Sequence, residues 1–399
     1  MKQKIISSAL AIVALMLSGQ AQNIQLSKVF ADAEKQTNVM LQEVSKAKAT
    51  NADLVSPRTL NKGELKLVAS RDWTSGFFPG ELWFLYEYTG NKEWKQQAEN
   101  FTANIEREKT NGATHDMGFK IYCSFGNGYR LTKDQHYKDV IIQSAKTLST
   151  RFRPITGTIR SWDHSGDKWA YPVIIDNMMN LELLFAATKL TRDSSFFKIA
   201  VTHANTTMKN HYRPDNSSYH VVGYDSLTGN VVKKSTHQGY ADESAWARGQ
   251  VWGLYGYTMC YRFTKDKKYL EQAEKIAAFV LDHPNMPKDL VPYWDFNAPN
   301  IPNEERDASA AAILASGLYE LSTYSKNGKL YKEKADKIIE SLTNGYRSPI
   351  GENKGFILLH STGSRPSNSE VDVPINYAEY YYLEALLRSK KLKERESLF

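Results

Sequence analysis

The stretch TKDKKYLEQAEKIAAFV, residues 264–280, decides the fold. It opens on a short polar joint and continues as an amphipathic helical pattern. Asp266 stands where a carboxylate accepts the orphan backbone N–H groups of a helix start. The same joint recurs as TGNKEW at 89, TKDQHY at 132, TRDSSF at 191 and SKNGKL at 325. Each has Thr or Ser first, Asn or Asp two residues on, and an aromatic residue or leucine sixth. Each also separates two helical patterns, so each marks an αα-hairpin.

Twelve such patterns are legible, at 24–48, 77–89, 92–108, 117–132, 134–152, 177–191, 193–210, 243–264, 266–283, 306–325, 328–344 and 372–390. Short and long connections alternate between them. Twelve helices joined this way predict an all-α (α/α)6 barrel over residues 22–399, a single domain. The clearest strand signal is YHVVGYDSLTGNVVKK, which predicts a small β-hairpin inside the long connection 211–242. If the short turns share one end of the ring, the long connections share the other, where helix N-termini converge and favour a bound anion.

The chain has 399 residues, 41% hydrophobic and 24% charged, the balance of a globular protein. Residues 1–21 read as a secretory signal peptide: Lys2 and Lys4, an apolar run from Ile5 to Leu17, then small residues up to Ala21. The expected location is outside the cytoplasm, in the periplasm where the host has an outer membrane. No cysteine stands at the cut to carry a lipid anchor, and no second long apolar run follows, so no membrane association is expected. Cys123 and Cys260 lie in apolar helical patterns; an even count permits a disulfide, but buried free thiols are the simpler reading. The net charge of +7 is spread without a basic tract, which suits an anionic small partner better than nucleic acid. Oligomeric state is left open, and a monomer is compatible.

Candidate chemistry clusters in the long connections. In VIIDNMMNLELL, residues 173–184, Asp176 interrupts an apolar run. Alone it reads as a helix cap; among apolar neighbours it reads equally as an acid kept protonated. His115-Asp116 opens another inner helix, and two carboxylates sharing a site split into one acid and one ion. In HQGYADESAWARGQVWG, residues 237–253, Ser244 or Asp242 is placed to cap a helix on which Arg248 and Trp252 share a face. Arginine clamps carboxylates and indoles stack on sugars. Trp73, Trp162 and Trp294 add aromatic surface in loops, with one of them expected to be a plug. No Cys/His spacing suits zinc, and GNGY at 126 is too weak for a phosphate loop, so no metal or nucleotide cofactor is expected.

As a set, RDWTSGFFPGELW, HDMGF, IIDNMMNLELL, HQGYADESAWARGQ, RDASAAAILASGLYEL and SEVDVPINYAEYYYLEALL resemble glycoside hydrolase family 88, the unsaturated glucuronyl hydrolases, across the mature sequence. The resemblance implies an (α/α)6 barrel acting on lyase-generated glycosaminoglycan oligosaccharides that end in a 4,5-unsaturated uronic acid. It implies Asp176 as the general acid and then the base for water, with Asp116 as its partner. It places His220, Gln238 and Arg248 around the uronate and the water. Trp73, Trp246 and Trp252 fall around the sugars, and His115 precedes the first aspartate as in the family. Members accepting sulfated substrates carry Ser-x-x-Ser-x-Lys near the C-terminus; here Ser361 and Ser364 remain, Pro366 replaces the lysine, and Arg365 stands beside it. The competing readings are an unsaturated rhamnogalacturonyl hydrolase, a hydrolase of saturated glucuronides, a sugar epimerase using His115 and His220, and an exported glycan-binding protein without catalysis.

Overall fold

The structure, a computed structural model, describes residues 24–48, 51 and 53–399; the expected signal peptide lies outside them. Its helices are α1 (Leu26–Lys48), α2 (Phe77–Thr89), α3 (Lys92–Ala103), α4 (Asn127–Thr132), α5 (Gln135–Ser149), α6 (Asn177–Thr191), α7 (Ser194–His211), α8 (Ala247–Thr264), α9 (Lys267–Asp282), α10 (Ala308–Ser322), α11 (Gly328–Gly345) and α12 (Asn376–Glu394). A π-helix, Gly118–Gly126, leads directly into α4.

Six of these elements close an inner ring: α2, the π-helix with α4, α6, α8, α10 and α12, which returns to α2. The sequence sorts inner from outer. Every residue of α10 from Ala308 to Leu321 is buried. In α9 only one stripe is, at Tyr269, Gln272, Ala273, Ile276, Ala277 and Val280. A helix apolar all round belongs in the centre, and one with a single apolar stripe belongs outside. The ring is therefore an (α/α)6 barrel, with five consecutive hairpins and the chain's first helix on the outside.

The recurring joint works as its sequence implies, with one addition. Asp266 accepts a hydrogen bond from Lys268 N–H at 3.2 Å, and Asn91, Asp134 and Asp193 cap their helices in the same way. The threonine closes the preceding helix as well, since Thr264 donates to the Cys260 carbonyl at 2.8 Å and accepts from Asp266 N–H at 3.1 Å. Asn327 departs from the pattern, making no side-chain cap.

Several boundaries differ from expectation. The pattern 92–108 stops at Ala103 and resumes as a 3-10 turn over Glu106–Thr110. The pattern 117–132 is π-helical in its first half, a form that clusters at functional sites. Helix α8 starts at Ala247 and not at 243, because the proposed caps are used elsewhere. Ser244 donates to Asp295 at 2.7 Å, and Asp242 accepts from Thr236 N–H. Strands are also more numerous than one hairpin. β1 (Leu54–Asn61) pairs with β2 (Glu64–Ala69), and β3 (Phe152–Arg153) with β4 (Thr158–Ile159). The expected hairpin, β6 (Val221–Tyr224) and β7 (Val231–Ser235), gains β5 (Pro172–Ile174) along its other edge. Cys123 and Cys260 are both buried and free, as the simpler reading had it.

Candidate active site

The long connections enclose a cavity of about 310 Å³ whose wall includes Trp73, His115, Asp116, Asp176, Gln238 and Arg248. Two inner-helix starts bring the aspartates to it, and Gly118 is what lets them approach. A Cβ at Gly118 would lie 2.6 Å from the Asn180 Cα, so no larger residue fits there. Asn180 completes the contact by accepting the Phe119 N–H at 3.0 Å.

Asp176 occupies the N-cap position of α6 but does not cap it. Its backbone is already helical, at φ −56° and ψ −26°, and its carboxylate accepts no cap bond. The expectation of a working cap is thus corrected; the side chain turns to the cavity instead. It is buried, its Oδ2 has no hydrogen-bond partner, and its pKa is pushed up to about 7. Burial is the largest cause; the Arg248 charge opposes it, and the Asp116 charge adds to it. The like charge expected to drive the shift is therefore secondary to desolvation.

His220 reaches this carboxyl through the sheet. Pairing of β5 with β6 sets Ile174 opposite Val221, and Ile175 N–H bonds the His220 carbonyl at 3.1 Å. His220 Nδ1 accepts the backbone N–H groups of His237 and Gln238, each at 3.1 Å. That assigns the neutral ring with its proton on Nε2, which lies 3.6 Å from Asp176 Oδ2. Burial holds the His220 pKa well below its ordinary value, so the ring stays neutral. His115 carries a proton on Nδ1. Asn177 spends its amide hydrogens on the Ile159 carbonyl and on Ser161, so its oxygen accepts from His115 Nδ1 at 2.7 Å. His115 Nε2 then lies 3.2 Å from Asp116 Oδ1, while Thr114 donates to Asp116 Oδ2 at 2.7 Å.

Other expected residues divide. Gln238 lines the cavity and is held by its bond to the Gly363 carbonyl. Ser364 also lines it, as does Trp162. Trp246 and Trp252 do not form its wall. Trp246 packs between the His220 ring at 4.5 Å and the Arg248 guanidinium at 4.7 Å. Trp252 packs against Phe119 and Tyr381, with its indole N–H directed at the Asp176 carboxyl. Trp294 is the plug, bonded to Glu304. Ser361 is fully buried beside the wall, and Arg365 points at Glu305, 3.2 Å away, so neither contacts the cavity. Trp246 and Trp252 therefore reach the site through His220, Arg248 and Asp176 and not as cavity wall. Arg365 is paired with Glu305 and does not line the cavity.

Among the wall residues that the sequence reading missed are Tyr377 and Arg58. Tyr377 begins α12, is buried, and its hydroxyl has no partner. Arg58 comes from β1 and is tied to Glu370 at 2.6 Å and to Asp72 at 2.7 Å. An inner-helix start in the block NYAEYYY could have pointed to Tyr377; nothing local marks Arg58. Among the described residues no group of three or more His, Cys, Asp or Glu side chains is arranged to hold a metal ion.

Comparison with known proteins places these residues in a familiar setting. Residues 46–383 match the family model Glycosyl Hydrolase Family 88. An unsaturated glucuronyl hydrolase of Formosa agariphila is 54% identical over 327 residues, 82% of each chain. The crystal structure of an unsaturated glucuronyl hydrolase specific for heparin superposes with a TM-score of 0.87 at 48% identity, covering 92% of this chain and 98% of that one. A further structure is an aspartate-to-asparagine variant of the Streptococcus agalactiae enzyme complexed with dGlcA-GalNAc6S. It has a TM-score of 0.74 and 28% identity, covering 91% of this chain and 90% of that one.

Proposed function

Because this chain belongs to glycosyl hydrolase family 88, we infer that it is a hydrolase of lyase-generated glycosaminoglycan oligosaccharides. It removes the 4,5-unsaturated uronic acid from their non-reducing end. The single observation that carries a mechanism is Asp176: a buried carboxyl at a cavity wall, with a pKa near 7 and one oxygen unpartnered. A group so placed is protonated often enough at neutral pH to give its proton away, and basic enough afterwards to take one back.

The chemistry follows from the substrate's enol ether. Asp176 donates its proton to C4, leaving the positive charge shared between C5 and the ring oxygen. Water adds at C5 and loses a proton to the Asp176 carboxylate, which restores the acid. The resulting hemiketal opens to a C5 ketone, and the hemiacetal released at C1 expels the neighbouring sugar. One water is consumed and the anomeric carbon is never attacked. His220 directs its Nε2–H toward the Asp176 oxygen, Asp116 and His115 hold sugar hydroxyls, and Trp73 offers a face to a sugar ring. Tyr377 donates its free hydroxyl to the substrate.

The test is loss of ultraviolet absorbance when purified protein meets unsaturated disaccharides, because the conjugated C4=C5 acid absorbs and its hydrate does not. Absorbance that persists on every glycosaminoglycan disaccharide would refute the reading. The signal-like residues 1–21 support export, and fractionation of producing cells would reveal it: retention in the cytoplasm would contradict it.

A further inference from the structure

The block RDASAAA, residues 306–312, contributes a carboxylate that no substrate contact accounts for. Asp307 stands just before α10 and is fully buried. Its Oδ1 accepts from Ser309 N–H at 3.1 Å, from Ser309 Oγ at 2.5 Å and from Thr362 N–H at 3.4 Å. Its Oδ2 is left for Arg248, whose Nη1 donates to it at 2.7 Å. Arg248 Nη1 also donates to the Thr362 carbonyl, and Nη2 to the Gly363 carbonyl, both at 2.6 Å. A guanidinium has five N–H donors, and these contacts use three. What remains is the Nε–H and one Nη2–H, on a residue that lines the cavity beside Asp176. Trp246 at 4.7 Å and Tyr377 at 5.2 Å cover the ring-facing sides of the guanidinium.

We propose that Asp307 is a positioning residue: with the Thr362 and Gly363 carbonyls it fixes Arg248 so that the remaining Nε and Nη2 hydrogens receive the C6 carboxylate of the substrate. The inference rests on the functional reading above. Paired N–H groups on a carboxylate give orientation as well as attraction. Fixing C6 also fixes C5 and C4, the two atoms that react. Capping α10 alone does not require a charge, because Ser or Asn caps equally well. Asp307 also balances the Arg248 charge, so its loss leaves that charge to act on Asp176.

The experiment uses Asp307→Asn and Asp307→Ser, which both keep a cap, on an unsaturated disaccharide and on its C6 methyl ester. KM for the acid is expected to rise at least ~10-fold while KM for the ester changes little. The alkaline limb of the pH profile is expected to move to lower pH, as an unbalanced Arg248 favours ionised Asp176. Folded variants that keep the wild-type preference for acid over ester would overturn the proposal, whatever their kcat. If neither variant folds, Ser309→Ala, which removes one bond to Asp307, is expected to weaken the same preference; no change would overturn it. Wild-type protein inert on all unsaturated uronides would sink the functional reading alone. Calorimetric binding of glucuronate against its methyl ester, by the same variants, would then decide the role of Asp307.

Discussion

At the scale of single residues, replacing Asp176 has opposite consequences for activity and stability. Its folded pKa is raised from 3.8 to about 7, so folding favours its protonated form. As an acid it must hold its proton to act. The kcat/KM of the free enzyme is therefore expected to fall as pH rises through about 7. A profile flat from pH 6 to 9 would remove Asp176 from the acid's role. Asp176→Asn is expected to cost at least ~10³-fold in turnover with the fold intact. Stability also declines with rising pH: the contribution of Asp176 is fully present below pH 3.8 and is lost as pH rises to about 7. The Asn variant is thus expected to gain roughly 2–4 kcal/mol over wild type at pH 8 and much less at pH 5, read from urea unfolding. An inactive variant no more stable at pH 8 than wild type would contradict the desolvated carboxyl.

Elements follow local rules, with one buried exception. The Thr-x-Asp joints are read residue by residue, because each interaction spans only two to four positions. Asp266→Ala is expected to cost about 1 kcal/mol, measured by denaturation, because it strands helix-start N–H groups. The exception lies between α2 and α12, where Glu81 and Glu379 are both buried. Burial pushes Glu379 up to about 8, and Glu81 is raised by burial and by the Glu379 charge. Glu379 accepts the N–H groups of Ile357 and Leu358, so it anchors the segment that precedes the 361–364 loop. The folded chain holds a proton that the unfolded chain has released above pH 4.5, so stability falls as pH rises from about 4.5 to about 8. Glu81→Gln, which cannot ionise, is expected to raise Tm at pH 8.5 more than at pH 5.5. Equal shifts at the two values would show that burial does not hold a proton on Glu81.

Across the whole molecule, the balance of charge around the cavity bears on which sugars enter. Arg58 is paired with Glu370 and Asp72, Arg248 with Asp307, and Arg365 with Glu305 away from the wall. Burial lowers the pKa values of His115, His220 and His237, which disfavours charge on these imidazoles. Beyond the uronate's own carboxylate, the wall holds Asp116, a Glu370 paired with Arg58, and no unpaired Lys or Arg among the described residues. A sulfate on the adjoining sugar would find no free cation on this wall. Unsulfated disaccharides are expected to be consumed with kcat/KM at least ~10-fold above their 6-sulfated counterparts, about 1.4 kcal/mol. Equal rates would show that a cation outside the wall reaches the sulfate.

Helix count, hairpin joints, inner and outer faces, and the pair of aspartates at neighbouring helix starts were all determined by the sequence alone. Those features depend on periodicity and on contacts a few residues apart, and such physics is written locally. Only the tertiary structure decided that Asp176 is desolvated and not capping, that β5 delivers His220 to it, and that Trp252 meets it from the core. It alone joined Arg248 to Asp307, 59 positions away, and brought Tyr377 and Arg58 to the cavity. Burial and charge pairing of this kind are set when distant segments meet at one end of a closed ring, where no stretch of chain carries both partners.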